Sequence, residues 1–196
     1  IAEGLNSQGY NILSSDSLVV SRNSQVQTIL AVLKLLMRSN SSAQHKIIFD
    51  QFWESQLSKK GEYHLLVSDL IHLPSFEFFK QLNQLAGSCF RLREFTGLQL
   101  VESVDHVITS FPFLDSNNRF VLTFLEDVFE FSRQKGGSLS DYLLHWESQS
   151  ENLRITAPES INAIRVMTIH QAKGLEFPVV ILPFMDTPLR TNVREK

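Results

Sequence analysis

Near the C-terminus of this 196-residue chain, five residues suited to ligand contact stand within nine positions: Thr168, His170, Lys173, Gly174 and Glu176. They bring together a hydroxyl, an imidazole, an ammonium, a glycine and a carboxylate. The first two can donate hydrogen bonds, the third carries positive charge, and the last accepts from donors. Glycine tolerates backbone angles that other residues avoid, and lets a ligand come close to the main chain. Such a set could hold a polar ligand. Taken one at a time, the residues also have blander readings. A lone histidine is more often structural than functional, and a lone glutamate is more often a solvated charge.

Two apolar runs flank this turn. Ile164 to Ile169 is rich in β-branched residues, and Val179 to Leu182 is continuously apolar. Both read as strands buried on two faces, as in parallel sheets. Pro178 would start the second strand, where a missing N–H is tolerated. Ligands bind at the carboxyl ends of strands in open α/β sheets, so the polar turn is placed for ligand work.

Before this point the chain is mostly helical in pattern. Residues 1–9 read as a helix end stopped by Gly9, Tyr10 to Leu13 as a short strand, Ser14 to Ser17 as a turn, and Leu18 to Val20 as extended chain. A helix capped by Asn23 or Ser24 carries Val26, Ile29, Leu30, Leu33 and Leu36 or Met37 at a 3.6-residue period. A second covers Gln44 to Leu57, with Ile47, Ile48, Phe52 and Trp53 inward. Residues 62–75 show no decisive pattern. Pro74 and Ser75 open a helix with Phe76, Phe79, Leu82 and Leu85 on one face and Gly87 as its stop. Leu92 to Ile108 reads as one or two short helices, with Phe95, Leu98 and Val101 inward. After a loop at Pro112 and residues 115–118, a helix from Arg119 to Gln134 buries Val121, Phe124, Leu125, Val128 and Phe131. A last one, capped by Ser138 or Ser140, buries Leu139, Tyr142, Leu143 and Trp146. Residues 148–160 read as a polar linker and the tail from Asp186 as frayed.

Bulk properties narrow the class. Hydrophobic residues make up 43% and charged residues 20%, ordinary for a globular protein. No apolar run approaches the roughly 20 residues of a membrane span. The first residues resemble no signal peptide, and the initial Ile1 suggests a piece of a longer protein. The single Cys89 excludes an internal disulfide and a cysteine-based zinc cage, and points to a reducing, cytoplasmic setting. The other histidines show no ligand spacing, so no metal site is expected. Residues 101–160 hold 10 acids and 4 bases, whereas residues 161–196 hold 3 acids and 5 bases. A phosphate backbone would avoid the first block and tolerate the second. Nearly all of the 15 phenylalanines read as core rather than as base-stacking platforms.

The segment Thr168-Ile169-His170-Gln171-Ala172-Lys173-Gly174-Leu175-Glu176-Phe177-Pro178 resembles the fifth conserved motif of superfamily 1 helicases of the UvrD/Rep type. Gly9 to Leu36 is similar, less sharply, to the passage from the second motor domain (2A) into its inserted domain (2B). The helices from Phe120 to Phe131 and Leu139 to Trp146 are closest to the AddA/RecB-like branch. The resemblance implies a mainly α fragment: partial RecA-like 2A at 1–20, a helical 2B-like insertion at 21–150, a linker at 151–160, 2A with the motif at 161–185, and a frayed tail at 186–196. It also implies that Thr168 and His170 contact the backbone of single-stranded DNA, that Glu176 holds the ATP ribose, and that Lys173 and Gly174 shape the turn near the phosphates. The residue chemistry agrees: hydroxyl and imidazole can donate to phosphate oxygens, and a carboxylate accepts from sugar hydroxyls.

By the same resemblance the full-length protein would be an ATP-dependent DNA helicase acting in repair or recombination. It would use ATP and Mg²⁺ and act on single-stranded and duplex DNA. Its candidate partner is a further protein of nuclease/helicase type, and no membrane is involved. The fragment carries no G-x-x-x-x-G-K-[ST] loop, no acidic pair after a strand and no sixth motif, so it is expected to bind no cofactor alone and to be inactive. Two rivals stand beside this reading. One is a non-catalytic helical interaction module of an inactive helicase-like protein. The other is a different α/β enzyme whose strand end imitates the motif.

Overall fold

The run from Val26 to Leu36 folds into a helix that is enclosed on nearly every side. The computed structural model describes residues 12–14, 18–37, 41–55, 63–95, 97–136, 138–155 and 163–182. Two short parallel strands and a stack of helices make up these residues: β1 (Ile12–Ser14), α1 (Ser24–Met37), α2 (Ser42–Ser55), α3 (Tyr63–Ile71), α4 (Ser75–Ala86), α5 (Leu100–Ser110), α6 (Arg119–Lys135), α7 (Leu139–Gln149), β2 (Ile164–Val166) and the short α8 (Ile169–Ala172). The fold is mainly α, as expected. The expectations for residues 1–11, 15–17, 156–162 and 183–196 lie outside the described residues.

Asn23 starts α1, its side-chain oxygen accepting from the amides of Gln25 and Val26 at 3.1 and 3.3 Å. This satisfies two of the donors that a helix start leaves open. Every residue from Thr28 to Leu33 is buried, which covers all faces of the helix. Thr28 sits inside because its hydroxyl donates to the Ser24 carbonyl at 2.9 Å. Helices α2, α5, α6 and α7 all pack on α1, while α3 and α4 pack on α2.

The face of α4 differs from the expected one. Phe76 and Leu85 are exposed, and the buried set is Ser75, Phe78, Phe79 and Leu82. These stand at i, i+3, i+4 and i+7, so the stripe starts at a serine. The reason lies in α2. His45 is buried, with its Nε2 at 3.0 Å from the Ser75 hydroxyl and its Nδ1 at 3.0 Å from the Ile71 carbonyl. Nδ1–H therefore donates to the carbonyl, and Nε2 accepts from Ser75. Phe78 stacks on the imidazole at 4.2 Å. A polar pair thus turns α4 and sends Phe76 outward.

Phenylalanines knit the far side. Phe52, Phe113, Phe111, Phe90 and Phe79 form a relay with successive centroid distances of 5.8, 5.0, 4.8 and 4.4 Å. Each such pair contributes about 0.5–1.5 kcal/mol beyond burial. Among the described residues, Phe76 and Phe129 are exceptions to the expected core role, both lying exposed. In the stretch without a clear pattern, α3 is held by Tyr63, whose hydroxyl donates to Asp50 while Lys46 bonds the same carboxylate. The buried Tyr142 joins α7 to α6 by donating to Asp127 at 2.9 Å. Burial and the Asp127 charge hold its phenol far above its usual pKa, so it remains a donor.

The two ends of the helical stack meet. The Val20 amide donates to the Leu153 carbonyl and the Ile155 amide to the Leu18 carbonyl, both at 2.9 Å. Residues 148–149 complete α7, and 153–155 pair with 18–20, in a stretch expected to be a polar linker. Only part of 18–20 is extended, since a 3₁₀ turn begins at Val20. Beyond this clasp, β1 and β2 pair in parallel with Ile12 opposite Ile164 and Ser14 opposite Val166.

Two strand expectations need correction. The first strand stops at Val166 rather than Ile169, because Thr168 caps a turn of helix instead. The run Val179–Leu182 forms no strand, and Val179 and Ile181 are 77% and 79% exposed. An apolar run becomes a strand only against a partner for its backbone groups, and no described residue pairs with this one.

Burial holds the His45 imidazole below its ordinary pKa of 6.5. The unfolded chain takes up that proton at about pH 6.5, so below this value it binds more protons than the folded chain. Stability should fall as pH drops below about 6.5 and stop falling on this account at the lower folded value. Urea midpoints for the wild type and His45→Gln should converge between about pH 7 and 5.5. A constant gap would count against the neutral buried imidazole.

Candidate nucleic-acid and nucleotide interface

The residues at the carboxyl end of β2 fold locally for reasons visible in their types. Thr168 is extended and caps α8, its side-chain oxygen accepting from the Gln171 amide at 3.3 Å. Gln171 answers by accepting from the Thr168 amide at 3.1 Å. This reciprocal capping box converts a strand into a single helical turn. The Ala172 amide donates to the Thr168 carbonyl and the Leu175 amide to the Ala172 carbonyl, each at 3.0 Å. Lys173 returns to extended backbone, and Gly174 takes φ +84°.

All five expected site residues are therefore gathered on one turn after β2, and all five are exposed. Among the described residues, His170, Lys173 and Glu176 have no hydrogen bond or ion pair, whereas Lys46, Lys80 and Arg133 are each paired within their own helix. The imidazole, ammonium and carboxylate thus face solvent with their bonding capacity unspent. The Thr168 hydroxyl is partly committed, because its oxygen serves the cap. Gln171 is the participant that the motif reading passed over, although Thr168 and Gln171 stand at capping-box spacing.

The described residues supply no metal cage, since no three His, Cys, Asp or Glu side chains converge. No helix among them is long and apolar enough to cross a membrane.

Comparison with known proteins bears on the turn directly. Residues 116–192, which include α6, α7, β2 and the whole turn, match the UvrD-like helicase C-terminal domain. That part of the chain is similar to the UvrD-like helicases. Short segments are similar to curated bacterial proteins named as subunits of an ATP-dependent helicase/nuclease. The similarity to that of Lachnoclostridium phytofermentans is 56% identity over 39 residues, 19% of this chain and 3% of the relative. For Desulforudis audaxviator it is 74% over 27 residues, 14% and 2%. For Leuconostoc mesenteroides it is 42% over 52 residues, 26% and 4%. The matched part of the chain spans only 2 to 4% of the length of these relatives. The UvrD-like match covers less than half the chain, and α1 to α5 lie outside it.

A side chain at Gly174 would meet no atom within 4 Å, so the cost of adding one is backbone strain alone. Gly174→Ala should destabilise the turn by about 1–2 kcal/mol, the usual penalty for a left-handed residue with a side chain. Hydrogen exchange should report this as roughly tenfold lost protection at the Leu175 amide with the core amides unchanged. Unaltered exchange at Leu175 would show that the turn does not need the glycine.

Proposed function

We propose that this chain is part of an ATP-dependent DNA helicase or translocase, and that the turn after β2 supplies contacts to single-stranded DNA and to the nucleotide. The observation that carries the reading is the exposed, unpaired set His170, Lys173 and Glu176, grouped with Thr168 at the end of a parallel strand. In this reading β1 and β2 belong to the 2A motor domain, and α1 to α7 form the 2B-like insertion between them. Thr168 and His170 donate to phosphate oxygens, which positions DNA without reading its sequence. Glu176 accepts from the ribose hydroxyls of ATP, while Lys173 and Gly174 shape the turn near the phosphates. The exposed carboxylate of Glu176 fits the sugar end of a nucleotide; the magnesium would be held by residues outside those described. The relatives' names, as components of an ATP-dependent helicase/nuclease, support DNA as substrate, and a nuclease-bearing assembly and a repair or recombination setting follow as part of the proposal.

The test is ATPase activity of the full-length protein with and without single-stranded DNA. Strong stimulation is expected. A folded protein with no ATPase would move the function to α1–α7 and a protein partner, the rival non-catalytic module.

Two substitutions separate the roles. Glu176→Ala should weaken ATP binding by roughly tenfold, the size of one lost hydrogen bond to a charged group, with DNA affinity little changed. His170→Ala should weaken single-stranded DNA binding by a similar factor of about 3–10 and spare ATP binding. Equal loss of both ligands in either variant would contradict the division of labour.

A further inference from the structure

The capping box says more about Thr168 than its exposure does. A threonine hydroxyl has one proton to give and two lone pairs to receive. In the turn, the Thr168 oxygen already accepts from the Gln171 amide, the Thr168 amide is taken by the Gln171 side chain, and the Thr168 carbonyl is taken by Ala172. Among the described residues no acceptor takes the hydroxyl proton. We infer that Gln171 is a positioning residue for the proposed DNA contact, locking Thr168 so that its hydroxyl faces the ligand as a donor.

This rests on the reading of the turn as a DNA-contacting element and sharpens it. A group that only accepts, such as a phosphodiester oxygen, suits the proton of a hydroxyl held this way. The lock matters because α8 spans only Ile169–Ala172. A helix this short has no stability of its own, since nucleation is unfavourable and few bonds follow it. Threonine has more than one accessible χ1 well, and the hydrogen bonds of its oxygen decide which is filled. Without the Gln171 acceptor the Thr168 amide loses its partner and the hydroxyl samples other directions. Gln171 then acts on DNA through Thr168 rather than by touching DNA.

A double-mutant cycle in the full-length protein tests this, with affinity for a labelled oligothymidylate as the readout. Thr168→Val removes the hydroxyl at constant shape, and Gln171→Ala removes the reciprocal acceptor. Each should weaken binding about fivefold, the size of one ordinary hydrogen bond, and the double variant should bind no worse than Thr168→Val alone. Losses that multiply to about 25-fold would overturn the inference, because Gln171 would then act independently of Thr168. Gln171→Ala binding like the wild type would overturn it as well. Unchanged binding by Thr168→Val would remove the Thr168 contact itself, and this inference with it, a pattern distinct from the other two. Gln171→Glu keeps an acceptor for the Thr168 amide. That amide should exchange slowly in the wild type and in Gln171→Glu and quickly in Gln171→Ala, and fast exchange in Gln171→Glu would also count against the lock.

Discussion

The architecture depends on the burial of the middle of α1, where every residue from Thr28 to Leu33 is enclosed. A helix buried on every face through its middle cannot lie on a surface, so its neighbours must come from several parts of the chain. Here they come from α2 immediately after it and from α5, α6 and α7 much later in sequence. The remaining helices are arranged by this demand. Helices α3 and α4 stand one layer out, on α2, and there polar contacts take over part of the work: Tyr63 with Asp50 and Lys46, and His45 with Ser75.

This division explains which elements were legible in the sequence. Helices α1, α6 and α7 carry a local cap and a clean apolar period; Asn23 and Ser138, each one of two cap candidates, occupy the cap positions, and Asn118, read only as the end of a loop, caps α6. The left-handed Gly87 ends α4 as expected, and the left-handed Gly136 ends α6. Helix α3 was left without an assignment, although Tyr63, Leu66, Val67 and Leu70, which pack on the core, stand at i, i+3, i+4 and i+7 with His64, Ser68 and Asp69 exposed opposite them. The stripe of α4 was misplaced because a buried serine looks like a surface residue until its partner His45 is known. Such pairings are set in three dimensions and leave no period to read.

The turn after β2 shows the same limit at smaller scale. The order of residue types from Thr168 to Glu176 marked a site, and the fold gathers them on one exposed turn. Strand pattern alone extended the flanking strands too far. At Thr168 a side-chain cap competes with the strand ladder for the backbone, and the cap wins. At Val179 to Leu182 the apolar letters are strand-like, yet a ladder needs a second set of backbone groups.

The clasp at the base of the helical stack bears on how the chain finds its fold. Ile12 and Ile164 lie 152 positions apart in sequence yet sit side by side in the sheet. Joining them directly from an open chain would mean closing a very long loop, with an entropic cost that grows with the logarithm of its length. The hydrogen bonds from Leu18–Val20 to Leu153–Ile155 shorten the problem. Once the helices have packed and this clasp has formed, β1 ends four positions before Leu18 and β2 begins nine positions after Ile155. The parallel ladder then closes as a local event. The connectivity therefore favours an order in which the helices between the strands pack first and the strands that flank them zip last.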